Sequence, residues 1–239
     1  MIKNKFYSVK PLIKWTIGPV SDNGFECLNH SFKMLYKLYG DSFRYLVCHN
    51  NLNESQIKKL PPIEKINQNK ITNKIPIDFP KKNPAWKLYS PRFNMNGYEI
   101  LLDNDVVIYE DIFTDILKED TICVTQAISR SYSEPYKEYI PEDFNINSGF
   151  ICLPPFYDFQ NEIIKEINNL KIKEWKKFFD EQSLVAITLS KQNTKIISIE
   201  DIFVCYNELK KGKYGLHFVG LNSGNFAFWE KYKNLNKKF

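Results

Sequence analysis

The chain has 239 residues, enough to bury a full core as one large domain or two small ones. Hydrophobic residues make up 43% and charged residues 26%, the balance of a soluble globular protein. The aromatic share of 15% excludes disorder, and only 9 Gly exclude collagen-like or Gly-linker architectures. The net charge of +5 is carried almost wholly by Lys, with Arg44, Arg92 and Arg130 the only arginines. Base reading leans on Arg, so a nucleic-acid partner is not expected. No apolar run reaches the roughly 18–20 residues that span a bilayer. Residues 1–10 lack the apolar stretch of a secretory signal, which predicts a cytoplasmic protein. The five cysteines are widely spaced with no C-x-x-C pair, so buried reduced thiols are expected rather than zinc or redox chemistry. The basic end, residues 231–239, suits either peripheral contact with an anionic membrane surface or a solvated terminus.

In chain order, Lys14–Val20 reads as a first strand, and Ser21–Gly24 as a loop that offers a helix cap. Phe25, Leu28, Phe32, Leu35, Tyr36 and Tyr39 recur at three- and four-residue steps, predicting an amphipathic helix that ends at Gly40. Phe43–Cys48 is a buried strand, and Asn53–Leu60 a short helix stopped by Pro61-Pro62. Residues 61–84 read as irregular connection, with a strand over 71–77 as one option. Residues 84–93 enter a helix that breaks near Pro91. Tyr98–Leu102, Val106–Tyr109, Thr121–Thr125, Ser148–Leu153, Asp201–Tyr206 and Leu216–Val219 read as strands, and 161–179 as a helix. This order favours an α/β fold with a Rossmann-like, mainly parallel mixed sheet flanked by helices.

Asp103-Asn104-Asp105 directly follows a buried strand. In extended backbone, positions 103 and 105 point the same way. Two carboxylates on one side repel unless a positive charge sits between them, and a hard divalent cation suits oxygen ligands. The carboxyl ends of strands are also where open α/β sheets place ligands. A polar turn between strands accounts for the same residues.

At this point the run from Glu99 to Ile108 resembles the D-x-D segment of nucleotide-sugar-dependent glycosyltransferases of the GT-A fold. Asn147-Ser148-Gly149, Asp180-Glu181-Gln182 and Leu216-His217-Phe218-Val219-Gly220 are similar, in the same order, to motifs of the glycogenin and lipooligosaccharide galactosyltransferase group. The chain departs from that group at 222–226, where its Lys-Pro-Trp is missing. Asp-Glu-Gln also carries one residue more than the group's Asp-Gln.

The resemblance implies a single GT-A domain over 1–239, with a nucleotide-binding half to about 105 and a sugar and acceptor half over 106–239. It implies transfer of a hexose from a UDP-sugar to an acceptor hydroxyl of a glycan, a lipid-linked sugar or a protein, with retention. Asp103, Asp105 and His217 would hold Mn²⁺ or Mg²⁺. Thr16, Ile17 and Gly18 would lie along the nucleotide, joined by Asn104 and Gly220. Lys87 and Arg92 would approach the donor phosphates. Asn147 and Gly149 would shape the sugar pocket, and Asp180 and Gln182 would bind donor-sugar hydroxyls. In an inverting enzyme, Asp180 or Glu181 would be the base. A sugar-nucleotide-forming nucleotidyltransferase would need a Gly-rich basic loop after the first strand, and Gly18–Gly24 carries no Lys or Arg. A non-catalytic sugar- or protein-binding module would not need Asp103, Asp105 and His217 around one metal.

Overall fold

The computed structural model describes residues 9–71, 86–117, 120–134, 136–171, 180–221 and 226–236. Its strands are β1 (Leu12–Ile17), β2 (Arg44–His49), β3 (Glu64–Asn67), β4 (Glu99–Leu102), β5 (Val106–Ile108), β6 (Ile122–Gln126), β7 (Ile146–Leu153), β8 (Thr194–Ile197), β9 (Ile202–Val204) and β10 (Gly215–His217). Its helices are α1 (Asp22–Tyr39), α2 (Glu54–Ile57), α3 (Trp86–Tyr89), α4 (Phe113–Ile116), α5 (Phe159–Asn169), α6 (Asp180–Ser190) and α7 (Ala227–Asn236).

Seven strands form the main sheet in the order β3-β2-β1-β4-β7-β6-β8. β3, β2, β1 and β4 run parallel, β7 runs against both β4 and β6, and β8 is parallel to β6. A second sheet, β5-β10-β9, takes the chain immediately after β4. The expected α/β architecture with a mainly parallel sheet is what the chain adopts. β3 and β8 are additions to the strands read from the pattern. The possible strand over 71–77 lies almost entirely outside the described residues, as does the last part of the helix read over 161–179.

Strand alternation sorts the core into two layers. Ile13, Trp15, Ile17, Ile100, Leu102, Phe150 and Cys152 face one side, where Phe25, Leu28 and Leu35 of α1 cover them. Leu101, Ile151, Leu153, Ile122 and Val124 face the other, under Trp86 of α3 and the buried faces of α5 and α6. Each fully buried large apolar side chain contributes about 2 kcal/mol to this arrangement. Ser21 caps α1 by accepting the Gly24 N–H at 3.2 Å, and Gly40, at φ +48°, ends the helix in a conformation that favours glycine. Lys14 interrupts the apolar run of β1. It is buried against Glu99 at 2.6 Å and donates to the Pro91 carbonyl at 3.1 Å, while Glu99 also accepts the backbone N–H groups of Phe93 and Asn94. The charge inside the sheet is therefore paired and hydrogen-bonded.

The order of strands locates a crevice. From β1 the chain builds β2 and β3 on one side, then returns to place β4 on the other. The carboxyl ends of β1 and β4 thus flank a topological switch point, where such sheets bind ligands.

Candidate metal and donor site

Asp103 is the first residue past β4, at that crevice. Its N–H donates to the Gly149 carbonyl at 2.8 Å, and its own carbonyl accepts from Val106 N–H at 3.2 Å, closing the turn into β5. The Asn104 side chain donates to the Gly24 carbonyl at 3.1 Å, tying the turn to the first turn of α1. The Asp105 carbonyl accepts from Phe218 N–H at 2.9 Å, and His217 lies opposite Val106 in the antiparallel β5–β10 pair. Backbone pairing between β5 and β10 therefore carries His217 to the aspartates. The two sheets meet at this cluster.

His217 Nε2 stands 3.2 Å from Asp105 Oδ1. One ligand atom from each of Asp103, Asp105 and His217 lies within 4.8 Å of the others. Two metal–oxygen bonds end to end reach about 4.2 Å, so small side-chain rotations close the set around one ion. Asp105 and His217 are buried; Asp105 Oδ1 has the His217 ring as its neighbour, and among the described residues His217 Nδ1 has no hydrogen-bond partner. Buried polar atoms are rarely left this way without a function. Two carboxylates and an imidazole form a mixed oxygen and nitrogen donor set that Mn²⁺ accepts well. The residues present fit a divalent cation.

Gly149 is fixed by space. A Cβ there would come within 2.3 Å of His217 Cε1 and 2.8 Å of its Nδ1. The Asn147 side chain braces the same spot by accepting Gly149 N–H at 2.8 Å. Register also breaks here. Val124 pairs with Ile151, but its neighbour Thr125 pairs with Asn147, so Ser148, Gly149 and Phe150 have no β6 partner. That irregularity turns Ser148 and Gly149 toward the cluster.

Lys87 is buried beside it. Its ammonium lies 2.8 Å from Asp103 and 3.4 Å from Glu181, and it donates to the Ser148 carbonyl at 3.1 Å and the Ser148 hydroxyl at 3.4 Å. Burial pushes its pKa down, but Asp103 and Glu181 more than reverse this and hold it protonated. Burial raises the pKa of Glu181, Lys87 lowers it and Asp103 raises it, with a net upward shift. The Ser148 hydroxyl donates to Glu181 Oε2 at 3.4 Å, and Glu181 Oε1 faces the Lys87 ammonium at 3.4 Å. Asp180 and Gln182 are buried beside Glu181 on α6, and the Gln182 side chain donates to the Ser131 carbonyl at 3.0 Å.

Thr16 and Ile17 end β1 at the crevice. Gly18 follows, and a Cβ there would meet Asn50 Oδ1 at 2.8 Å. Asn50 in turn holds the Ile17 carbonyl through its backbone and side-chain nitrogens, at 3.0 and 3.3 Å. Gln68 links Asn50 to the Trp86 carbonyl. Neither Asn50 nor Gln68 stands out in the sequence, since both sit in Asn-rich loops with no periodicity. Gly220 adopts φ +83°, which favours glycine, just past β10.

Arg92 departs from expectation. Its guanidinium hydrogen-bonds to the carbonyls of Tyr157, Asn94, Gly97 and Leu153. Leu153 pairs with Glu99 at the amino end of β4, the opposite end from Asp103. Four residues of strand at about 3.3 Å each separate the two ends. The planar guanidinium expected near the donor phosphates is used to gather backbone carbonyls. The departing segment 222–226 lies outside the described residues except Phe226. Among the described residues no helix is long and apolar enough to cross a membrane.

The sequence matches no protein-family model and no curated protein. Solved structures resemble it in fold. The crystal structure of the galactosyltransferase LgtC in complex with donor and acceptor sugar analogs matches with a TM-score of 0.58 at 12% identity, over 92% of this chain and 94% of that one. An active-site mutant of LgtC gives a TM-score of 0.57 at 13% identity, over 93% and 95%. The apo glycosyltransferase GlyE of Streptococcus pneumoniae TIGR4 gives 0.59 at 13% identity, over 93% of this chain and 60% of GlyE. The fold is that of the GT-A glycosyltransferases. Within the GT-A fold, the Asp103-Asn104-Asp105 cluster is compatible with the DxD motif.

Proposed function

We propose that the protein is a metal-dependent glycosyltransferase that moves a hexose from a UDP-sugar to an acceptor hydroxyl with retention. The convergence of Asp103, Asp105 and His217 within 4.8 Å at the switch point carries this reading. The GT-A neighbour LgtC, solved with donor and acceptor sugar analogs, supports it. On this reading the chain is one catalytic domain. Thr16–Gly18 face the nucleotide, and the residues after about 105 complete the sugar and acceptor sites.

Asp103, Asp105 and His217 would hold Mn²⁺ or Mg²⁺, which would supply Lewis-acid neutralisation of the departing diphosphate. Gly149 leaves room for the His217 ring, and Asn147 braces Gly149. Asp180, Glu181 and Gln182 line α6 on the sugar side, with Glu181 held by Lys87 and Ser148. Retention calls for no carboxylate base, and Glu181 keeps its ion pair with Lys87. The acceptor proton then leaves with the diphosphate. The acceptor is a glycan, a lipid-linked sugar or a protein hydroxyl.

The test is thermal unfolding against a panel of UDP-sugars with and without Mn²⁺. A ligand at 100 times its Kd stabilises by about 2.7 kcal/mol. One UDP-sugar should shift unfolding only with Mn²⁺, and Asp105→Ala and His217→Ala should each abolish the shift. NMR of the product should show the donor's anomeric configuration; an inverted product would move the base to Asp180 or Glu181. No shift with any nucleotide sugar and metal would sink the proposal.

A further inference from the structure

The small sheet is built from three strands of three residues each. Strands this short gain their stability from a helix packed on one face. Side chains alternate along β10, so His217 faces away from Leu216 and Phe218. Leu216 and Phe218 are buried with Val107 of β5, Phe203 of β9, Cys27 of α1 and Trp229 of α7. The face opposite His217 is therefore closed by α1 and α7 together.

Trp229 joins these parts, and it is fully buried. Its ring meets Phe218 edge-on, with centroids 5.4 Å apart, and stacks on Tyr232 at 5.7 Å. Tyr232 also packs on Phe218, at 5.3 Å. Toward α1, the Trp229 indole N–H donates to Glu26 at 3.4 Å, and its ring meets His30 at 5.6 Å. His30 Nε2 stands 3.2 Å from the Tyr232 hydroxyl, and the Lys233 ammonium lies 2.7 Å from Glu26. Edge-on and offset ring pairs have specific geometry, so these contacts give the Phe218 ring one seat. The Phe218 N–H donates to the Asp105 carbonyl, and the residue before it is His217. α1 holds the other side of the cluster, because Gly24 accepts from Asn104. One pair of helices braces both the Asp103-Asn104-Asp105 turn and the strand end that carries His217.

We propose that Trp229 is a positioning residue for the metal site: by seating Phe218 against α1, it sets where the His217 imidazole stands relative to Asp103 and Asp105. The inference rests on the metal site of the transferase reading above. A side chain that only filled the core would, when shortened, lower stability and leave the ligand set of the folded protein unchanged. A positioning side chain changes the affinity of the folded protein as well.

The experiment uses the full chain and titrates Mn²⁺, alone and in the presence of UDP, at a temperature where each variant is folded by near-UV circular dichroism. Trp229→Leu should lose about tenfold in Mn²⁺ affinity, the lower end of what outer partners of a metal ligand cost. Trp229→Phe, which keeps a ring against Phe218, should recover most of that loss. Phe159→Leu shortens a buried ring in the layer on the other face of the main sheet, and should lower stability with Mn²⁺ affinity unchanged. Tyr232→Leu alters a half-buried residue and serves if Trp229→Leu does not fold; it should show a smaller loss of Mn²⁺ affinity. Amide hydrogen exchange without metal gives a second readout: Trp229→Leu should speed exchange at Phe218 more than at Ile100 of β4. Folded Trp229→Leu or Tyr232→Leu with wild-type Mn²⁺ affinity would overturn the inference. So would an equal loss in Phe159→Leu, which would mean a general loosening, or exchange at Phe218 that Trp229→Leu leaves unchanged. Wild-type protein that binds no Mn²⁺, alone or with UDP, would instead overturn the transferase reading itself, so the two failures are distinct.

Discussion

Any side chain at position 149 has to displace the His217 ring, whose Cε1 lies 2.3 Å from an added Cβ. Gly149→Ala should therefore push the imidazole away from Asp105 while the sheets remain intact. Disturbing a group that orients a metal ligand typically costs about 10–100-fold in affinity, and Mn²⁺ titration of the folded variant should show a loss of that order. Unchanged affinity would mean that His217 is not a ligand. The sequence marked this glycine as part of an Asn-Ser-Gly motif or a turn, yet the reason for it sits 68 positions away in β10 and appears only when the sheets pair. Lys87 shows the same limit. Its charge was legible, whereas its partners on a turn, a strand and a helix were not. Asp103 and Asp105 were legible because their spacing and the preceding buried run are local.

Among the elements, those with a strong apolar pattern were readable and the edges were not. β3 and β8 are the two outermost strands of the main sheet, and they carry Glu64, Lys65 and Lys195 exposed. Charge on an edge strand guards against stray pairing and also erases the apolar run that marks a strand. β4 and β5 were readable as strands, but nothing local says that the Asp-Asn-Asp turn separates two sheets. The cap of α1 bears on the same turn, since Ser21 holds Gly24 N–H while the Gly24 carbonyl holds Asn104. Ser21→Ala should lower stability by about 1 kcal/mol, measured by urea unfolding. Mn²⁺ affinity should change little, because Asn104 keeps its carbonyl. A loss of metal binding as large as that of Asp105→Ala would show that the cap does more than hold the helix.

For the molecule as a whole, all five thiols are buried and free, as their spacing in the chain led us to expect. Burial pushes Cys27 and Cys152 well above the ordinary thiol range and Cys205 up to about 12. A disulfide reagent at neutral pH should find almost no reactive thiol in the native protein and all five after unfolding. Rapid labelling of the native form would contradict the packing. The sign of the pH effect follows. Between the ordinary thiol value of 9.0 and about 12, the unfolded chain has lost the Cys205 proton and the folded chain keeps it. This contribution is present in full below about pH 9 and falls away as pH rises toward 12. The junction of the two sheets has a different kind of consequence. Two of the metal-cluster residues leave the large sheet and the third belongs to the small one. An ion bound there would be a crosslink between segments far apart in the chain, and its occupancy would report on whether the small sheet is docked. Mg²⁺ should then slow amide hydrogen exchange at Val107, Leu216 and Phe218 as strongly as at the aspartates. Protection confined to 103–105 would mean that the small sheet opens independently of the ion.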